Sequence, residues 1–154
     1  TYSGGMKQRL LIAQAFLGDP EVVFMDEPTA GLDPKERIRI RNLISEMALG
    51  KIVLIATHIV SDVEYISKEI LLLKHGEIIG SGNPESLEKE LYGIVYEKKV
   101  TVEQLKEIQD KYLVAGIREE GNQVVVRYLD SKSDEETTVW PTLDDVYLYH
   151  FYKE

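Results

Sequence analysis

Two short apolar runs do most to limit how this chain can fold: VVFM at 22–25 and KIVLIA at 51–56. Each is rich in β-branched residues, and neither alternates polar with apolar as a strand with one wet face does. Strands of that kind belong in parallel sheets covered by helices on both faces. Between the runs, Asp33-Pro34 reads as an N-cap followed by proline at the first helical position. The helix it starts carries Ile40, Leu43, Ile44 and Met47 on one side and ends near Gly50. Strand, helix, strand in this order predicts an α/β sheet with a right-handed crossover.

Other elements follow from local pattern. Met6, Leu10, Ala13 and Leu17 recur at helical spacing, and Leu11, Ile12, Ala15 and Phe16 make the later part of that helix apolar all round. Gly18 suits a left-handed cap, and Pro20 stops further helix. A short helix is expected around 62–67. EILLLK and EIIGSG then pair as a hairpin across His75-Gly76. After Gly82-Asn83-Pro84 the texture changes to a helix near 84–90, a strand in GIVYEKKV and a helix in TVEQLKEIQDKY. Two strands, LVAGIRE and QVVVRYL, meet at Gly121-Asn122, which suits a tight hairpin turn. SKSDEETT reads as a polar loop, and PTLDDVYLYHFY closes the chain as an amphipathic helix. The expected organisation is an α/β part over 1–90 and a small α+β appendage over 91–154.

Composition narrows the partners. The 154 residues are 44% hydrophobic and 29% charged, as in globular proteins. Their longest apolar stretches fall well short of the ~20 residues that span a bilayer. No secretory pattern opens the sequence, and with no cysteine neither a disulfide framework nor a thiolate zinc site can form. A cytoplasmic address fits. The formal net charge of −9 repels a phosphate backbone. The one basic run, KERIRIR at 35–41, is expected to be the solvated face of a helix. Nucleic acid is therefore not expected as a partner.

Three places carry chemistry. Asp26 and Glu27 end the VVFM strand, at the edge where α/β sheets gather ligands. Neighbouring residues of an extended chain face opposite ways, so one acid can face Mg²⁺ while the other orients an attacking water. The alternative is two solvated acids at a strand end. SGGMKQR opens a helix where Gly4 and Gly5 leave N–H groups uncovered and Ser3 adds a hydroxyl, an arrangement that suits a phosphate. The helix dipole adds ~0.3–1 kcal/mol there. Its plain alternative is a serine cap with flexible glycines. His58 ends the second strand, on the same sheet edge as Glu27 if the two strands run parallel, where it can donate to a terminal phosphate or position a water. His75 and His150 are expected to be structural.

Taken in order, SGGMKQR, VVFMDEPTAGLDP and LIATH closely resemble the ABC ATPase family. Ser3-Gly4-Gly5-Met6 is similar to its signature motif, with Tyr2 and Met6 where leucine and glutamine are more usual. Residues 22–27 resemble Walker B with the catalytic glutamate, Ala30-Gly31-Leu32-Asp33 the D-loop, and Thr57-His58 the switch histidine. The resemblance is strong over 1–84. PTLDDVYLYHF is similar to the closing segment of ATPase subunits of bacterial export-type transporters, including peptide-antibiotic exporters.

The resemblance implies the C-terminal part of a P-loop ABC ATPase sheet with covering helices. It also implies a transporter subunit that sandwiches ATP and Mg²⁺ with a second ATPase subunit and docks on transmembrane permease subunits at the inner face of the membrane. In that arrangement Ser3, Gly4, Gly5 and Met6 grip the γ-phosphate held by the partner, and Asp26 supports Mg²⁺. Glu27 polarises the water, His58 contacts the γ-phosphate, and Asp33 links the two sites. A non-transport ABC ATPase acting on DNA or ribosomes is the alternative. The sequence contains no G-x-x-x-x-G-K-[ST], so the Walker A lysine is missing. The expectation is a fragment cut before the signature motif, inactive alone and prone to self-association. Its appendage at 91–154 is expected to regulate or dimerise rather than catalyse.

Overall fold

The computed structural model describes residues 4–130 and 138–152. It divides into two compact units, Thr1–Ser67 and Lys68–Glu154. The division falls earlier than the expected 90/91 boundary. The helix over 84–90 contacts both the hairpin strand before it and the last helix of the chain.

In the first unit, α1 (Gly4–Ala15) precedes β1 (Val22–Asp26), α2 (Pro34–Met47), β2 (Ile52–Ala56) and α3 (Val60–Ile66). β1 and β2 pair in parallel, with Val22 opposite Ile52 and Asp26 opposite Ala56. Asp33 caps α2 by accepting from the backbone N–H groups of Lys35 and Glu36, both at 3.0 Å. Pro34 takes the first helical position, where its missing N–H costs nothing. Past the end of α1, Gly18 sits at φ 82°, the left-handed conformation expected of it.

The core of this unit joins Ile12 and Phe16 of α1, Val23 and Met25 of β1, and Ile40 and Ile44 of α2. Two expectations need correction here. The strands are not apolar-buried on both faces: Val23 and Met25 are buried, but Val22, Phe24, Ile52 and Leu54 are exposed. Helices α1 and α2 pack on one side of this two-stranded sheet, so alternate residues lose their water and the rest keep it. On α1, the buried positions are Gly5 and Ile12 within the helix and Phe16 just after it, while Met6, Leu10 and Leu17 are exposed. An apolar run that surrounds the helix does not itself say which stripe faces the sheet.

The second unit contains β3 (Ile70–Lys74), β4 (Glu77–Gly82), α4 (Pro84–Glu90), β5 (Val95–Val100), α5 (Val102–Lys111), β6 (Leu113–Glu120), β7 (Gln123–Leu129) and α6 (Leu143–Tyr152). β3 and β4 form the expected hairpin, with His75 at φ 53° and Gly76 at φ 83° making the turn. The later strands form an antiparallel sheet in the order β5-β7-β6. Tyr96, Val100, Val126 and Tyr128 make its core under α5. Thr101 and Gln104 form a reciprocal capping box at the start of α5. The polar loop expected over 131–138 lies almost wholly outside the described residues. No helix among the described residues is long and apolar enough to cross a membrane.

Candidate functional site

The parallel register of β1 and β2 brings their carboxyl ends side by side, and Glu27 and His58 meet there. The Glu27 N–H still donates to Ala56 O at 2.8 Å, continuing the ladder one step past β1. The chain then turns sharply, because Glu27 itself lies at φ 45°. The two acids therefore part company through a left-handed residue, not through the simple alternation of an extended strand. A non-glycine residue there costs about 1–3 kcal/mol, and such residues concentrate where a side chain must be aimed.

That side chain is fully engaged. Thr57 Oγ1 donates to Glu27 Oε2 at 3.0 Å. The His58 backbone N–H donates to Oε1 at 3.1 Å, and His58 Nδ1 stands 2.5 Å from the same oxygen. The contact with the His58 ring, more than any other, holds the Glu27 carboxyl below the usual glutamate range. Burial opposes it, while the Thr57 hydroxyl and the His58 N–H add to the lowering. Glu27 is consequently an ionised acceptor at neutral pH. Its side chain is 33% exposed and that of His58 73%, so the pair is open to a ligand. Asp26, the last residue of β1, is exposed beside it.

The glycines of the first motif have different neighbours. Gly4 starts α1 exposed, and a Cβ there would meet nothing within 4 Å. Gly5 is buried, and a Cβ on it would come 2.5 Å from Glu36 Oε2. Glu36 accepts from Arg9 at 3.1 Å and from Arg39 at 2.6 Å. The basic run at 35–41 is thus not a solvated face throughout: Glu36 seats α1 on α2, and Arg41 turns to α3. Met6 is exposed on α1, and Asp33 is committed to its cap. Ser3 lies outside the described residues.

Sequence reasoning missed a buried group two residues beyond Glu27. Thr29 and Asp62 are 1% and 2% exposed, and the Thr29 hydroxyl donates to Asp62 Oδ2. Arg41 Nη1 lies 3.5 Å from Asp62 Oδ1. No periodicity reveals such a triad, since its members come from three separate segments.

Of the expected site residues, Glu27 and His58 are in direct contact, with Asp26 adjoining. Gly4, Gly5 and Met6 lie together at the start of α1, and Asp33 stands at the start of α2. Among the described residues no group of three or more histidines or acids is placed to hold a metal.

Comparison with known proteins agrees with the family resemblance of the sequence. The family described as ABC transporter matches residues 1–30. ABC transporter A family member 8 of Dictyostelium discoideum is 37% identical over 71% of this chain and 13% of its own length. An uncharacterised ABC transporter ATP-binding protein of Synechocystis is 47% identical over 53% of this chain and 23% of its own. The Nod factor export ATP-binding protein I of Rhizobium johnstonii is 42% identical over 59% of this chain and 30% of its own. The chain thus spans less than a third of the length of each of these relatives. A dimeric ATP-binding cassette bound to ADP and Pi aligns at 32% identity over 53% of this chain and 36% of that one, with a TM-score of 0.48.

Proposed function

Because the chain is related to ABC transporter ATP-binding proteins, we propose that it forms part of a subunit that binds and hydrolyses ATP to drive transport, in the export direction. The observation that carries this reading is the Glu27–Thr57–His58 cluster at the joined carboxyl ends of two parallel strands. An ionised carboxylate there, held in place and still open to solvent, is suited to orient an attacking water. With Nδ1–H given to Glu27, His58 Nε2 can donate to a terminal phosphate only in the imidazolium form.

The nucleotide fits the residues present, but only in part. Gly4 is exposed at the start of α1, with open space where a Cβ would stand, which leaves room there for a phosphate oxygen. Ser3, Gly4, Gly5 and Met6 would meet the γ-phosphate bound to a second ATPase subunit. Asp26 supplies one exposed carboxylate, in keeping with Mg²⁺ sites that take one or two carboxylates and leave the rest to water and phosphate. The ion, when bound, neutralises charge on the phosphoryl oxygens. Asp33 would face the partner at the seam while keeping its cap. In this reading transmembrane permease subunits hold the protein at the cytoplasmic face of a membrane, and 91–154 acts as a regulatory or dimerising appendage.

No residue run here supplies the phosphate-loop lysine, so the 154-residue chain alone should release no phosphate from Mg-ATP. Turnover by the isolated chain that disappears on Glu27→Gln would refute the split-site part of this reading.

A further inference from the structure

Resting on this hydrolytic reading, we propose that Asp62 is a positioning residue for the Glu27–His58 pair, acting through Thr29 and Arg41. Glu27 and His58 both lie beyond the ends of their strands, on turns that could drift apart once the β1–β2 ladder stops. Asp62, four residues past His58 and on α3, accepts from Thr29, two residues past Glu27. Its other carboxylate oxygen faces Arg41 of α2 at 3.5 Å. Arg41 in turn donates to Ser61 O at 3.2 Å and lies 4.6 Å over the Tyr65 ring. One carboxylate thus ties the turn after β1, helix α2 and helix α3 into a single frame around the pair.

The energetics favour a task beyond stability. A carboxylate 2% exposed loses much of its hydration, and repayment needs close, complete hydrogen bonding. Asp62 Oδ1 has no hydrogen bond at all, only the longer ion pair. An apolar residue would fill this place at less cost. What it would not do is fix Thr29, and with it the turn that aims Glu27.

The test uses the 154-residue chain without nucleotide. His58 Nδ1 lies against the Glu27 carboxylate, so the neutral ring must carry its proton on Nδ1, whereas a free imidazole favours Nε2. Long-range ¹H–¹⁵N NMR above the imidazole titration range reads this directly. The native chain should show the Nδ1–H form at His58. Thr29→Val and Asp62→Asn should shift the ring toward Nε2–H, and Thr29→Ser should restore the native signal.

A folded Thr29→Val chain, with native Ile44 methyl shifts, that keeps the Nδ1–H form would overturn the proposal. So would a native chain already in the Nε2–H form. Loss of the fold in Thr29→Val would reduce the tie to a stability element and end the proposal too. If Asp62→Asn alone fails to fold, Thr29→Val decides. Because no nucleotide is involved, failure of the ATPase reading shows separately, as absence of turnover in an assembled subunit.

Discussion

Glu27 combines a strained backbone, at φ 45°, with a carboxylate whose two oxygens take hydrogen bonds from Thr57 and His58. Its pKa is depressed chiefly by the His58 ring contact, which fixes the sign of a pH effect. The stabilisation is complete above the ordinary glutamate value and fades as pH falls through the lower folded value. Glu97 behaves alike, held low first by Arg118, with Arg127 adding to it. Thermal unfolding followed from about pH 7 to about pH 3 should therefore show falling stability at the acid end, and Glu97→Gln should flatten that fall. An unchanged acid limb in the variant would contradict the assignment. At Gly5, an added methyl gains about 1 kcal/mol of helix propensity but must push Glu36 off its place between Arg9 and Arg39. Gly5→Ala should leave the melting temperature nearly unchanged while breaking the Arg9–Glu36 contact, visible as loss of the Arg9 side-chain NMR shift.

At the scale of elements, α2 carries the first unit. Ile44 is fully buried between α1 and the sheet, and Ile44→Ala should cost about 2–5 kcal/mol in denaturant unfolding. Thr101→Ala removes the reciprocal cap of α5 and should cost about 0.5–2 kcal/mol. A cost below a few tenths would mean the cap carries no weight. α2 was legible because its cue is local, Asp33-Pro34 acting within one turn, and α5 was legible as the run TVEQLKEIQDKY rather than by its cap. Glu27 and His58 were legible for a similar reason, since each ends an apolar run and parallel pairing sets them side by side. Thr29, Asp62 and Arg41 were not, because a buried polar tie is defined by the packing of distant segments. Nor could VVFM and KIVLIA reveal that α1 and α2 cover only one of their faces. A run apolar at every position reads the same whether one side or both sides are covered.

For the whole molecule, the uncovered face is the main liability. Val22 pairs with Ile52 and Phe24 with Leu54, and all four are exposed, Phe24 at 75%. Leu10 and Leu11 of α1 are each 58% exposed as well. Contiguous apolar surface next to unpaired strand edges favours association. The isolated chain should scatter light as a dimer or larger species, and Phe24→Glu with Ile52→Lys should move it toward 17.6 kDa. The role proposed for Glu27, however, is in ATP hydrolysis. It is tested most directly by phosphate release from Mg-ATP by an assembled ATPase subunit containing these 154 residues, native against Glu27→Gln. Glu27→Gln should lower kcat by about 10²–10⁴ with ATP still bound. Turnover within a few-fold of native would contradict that role.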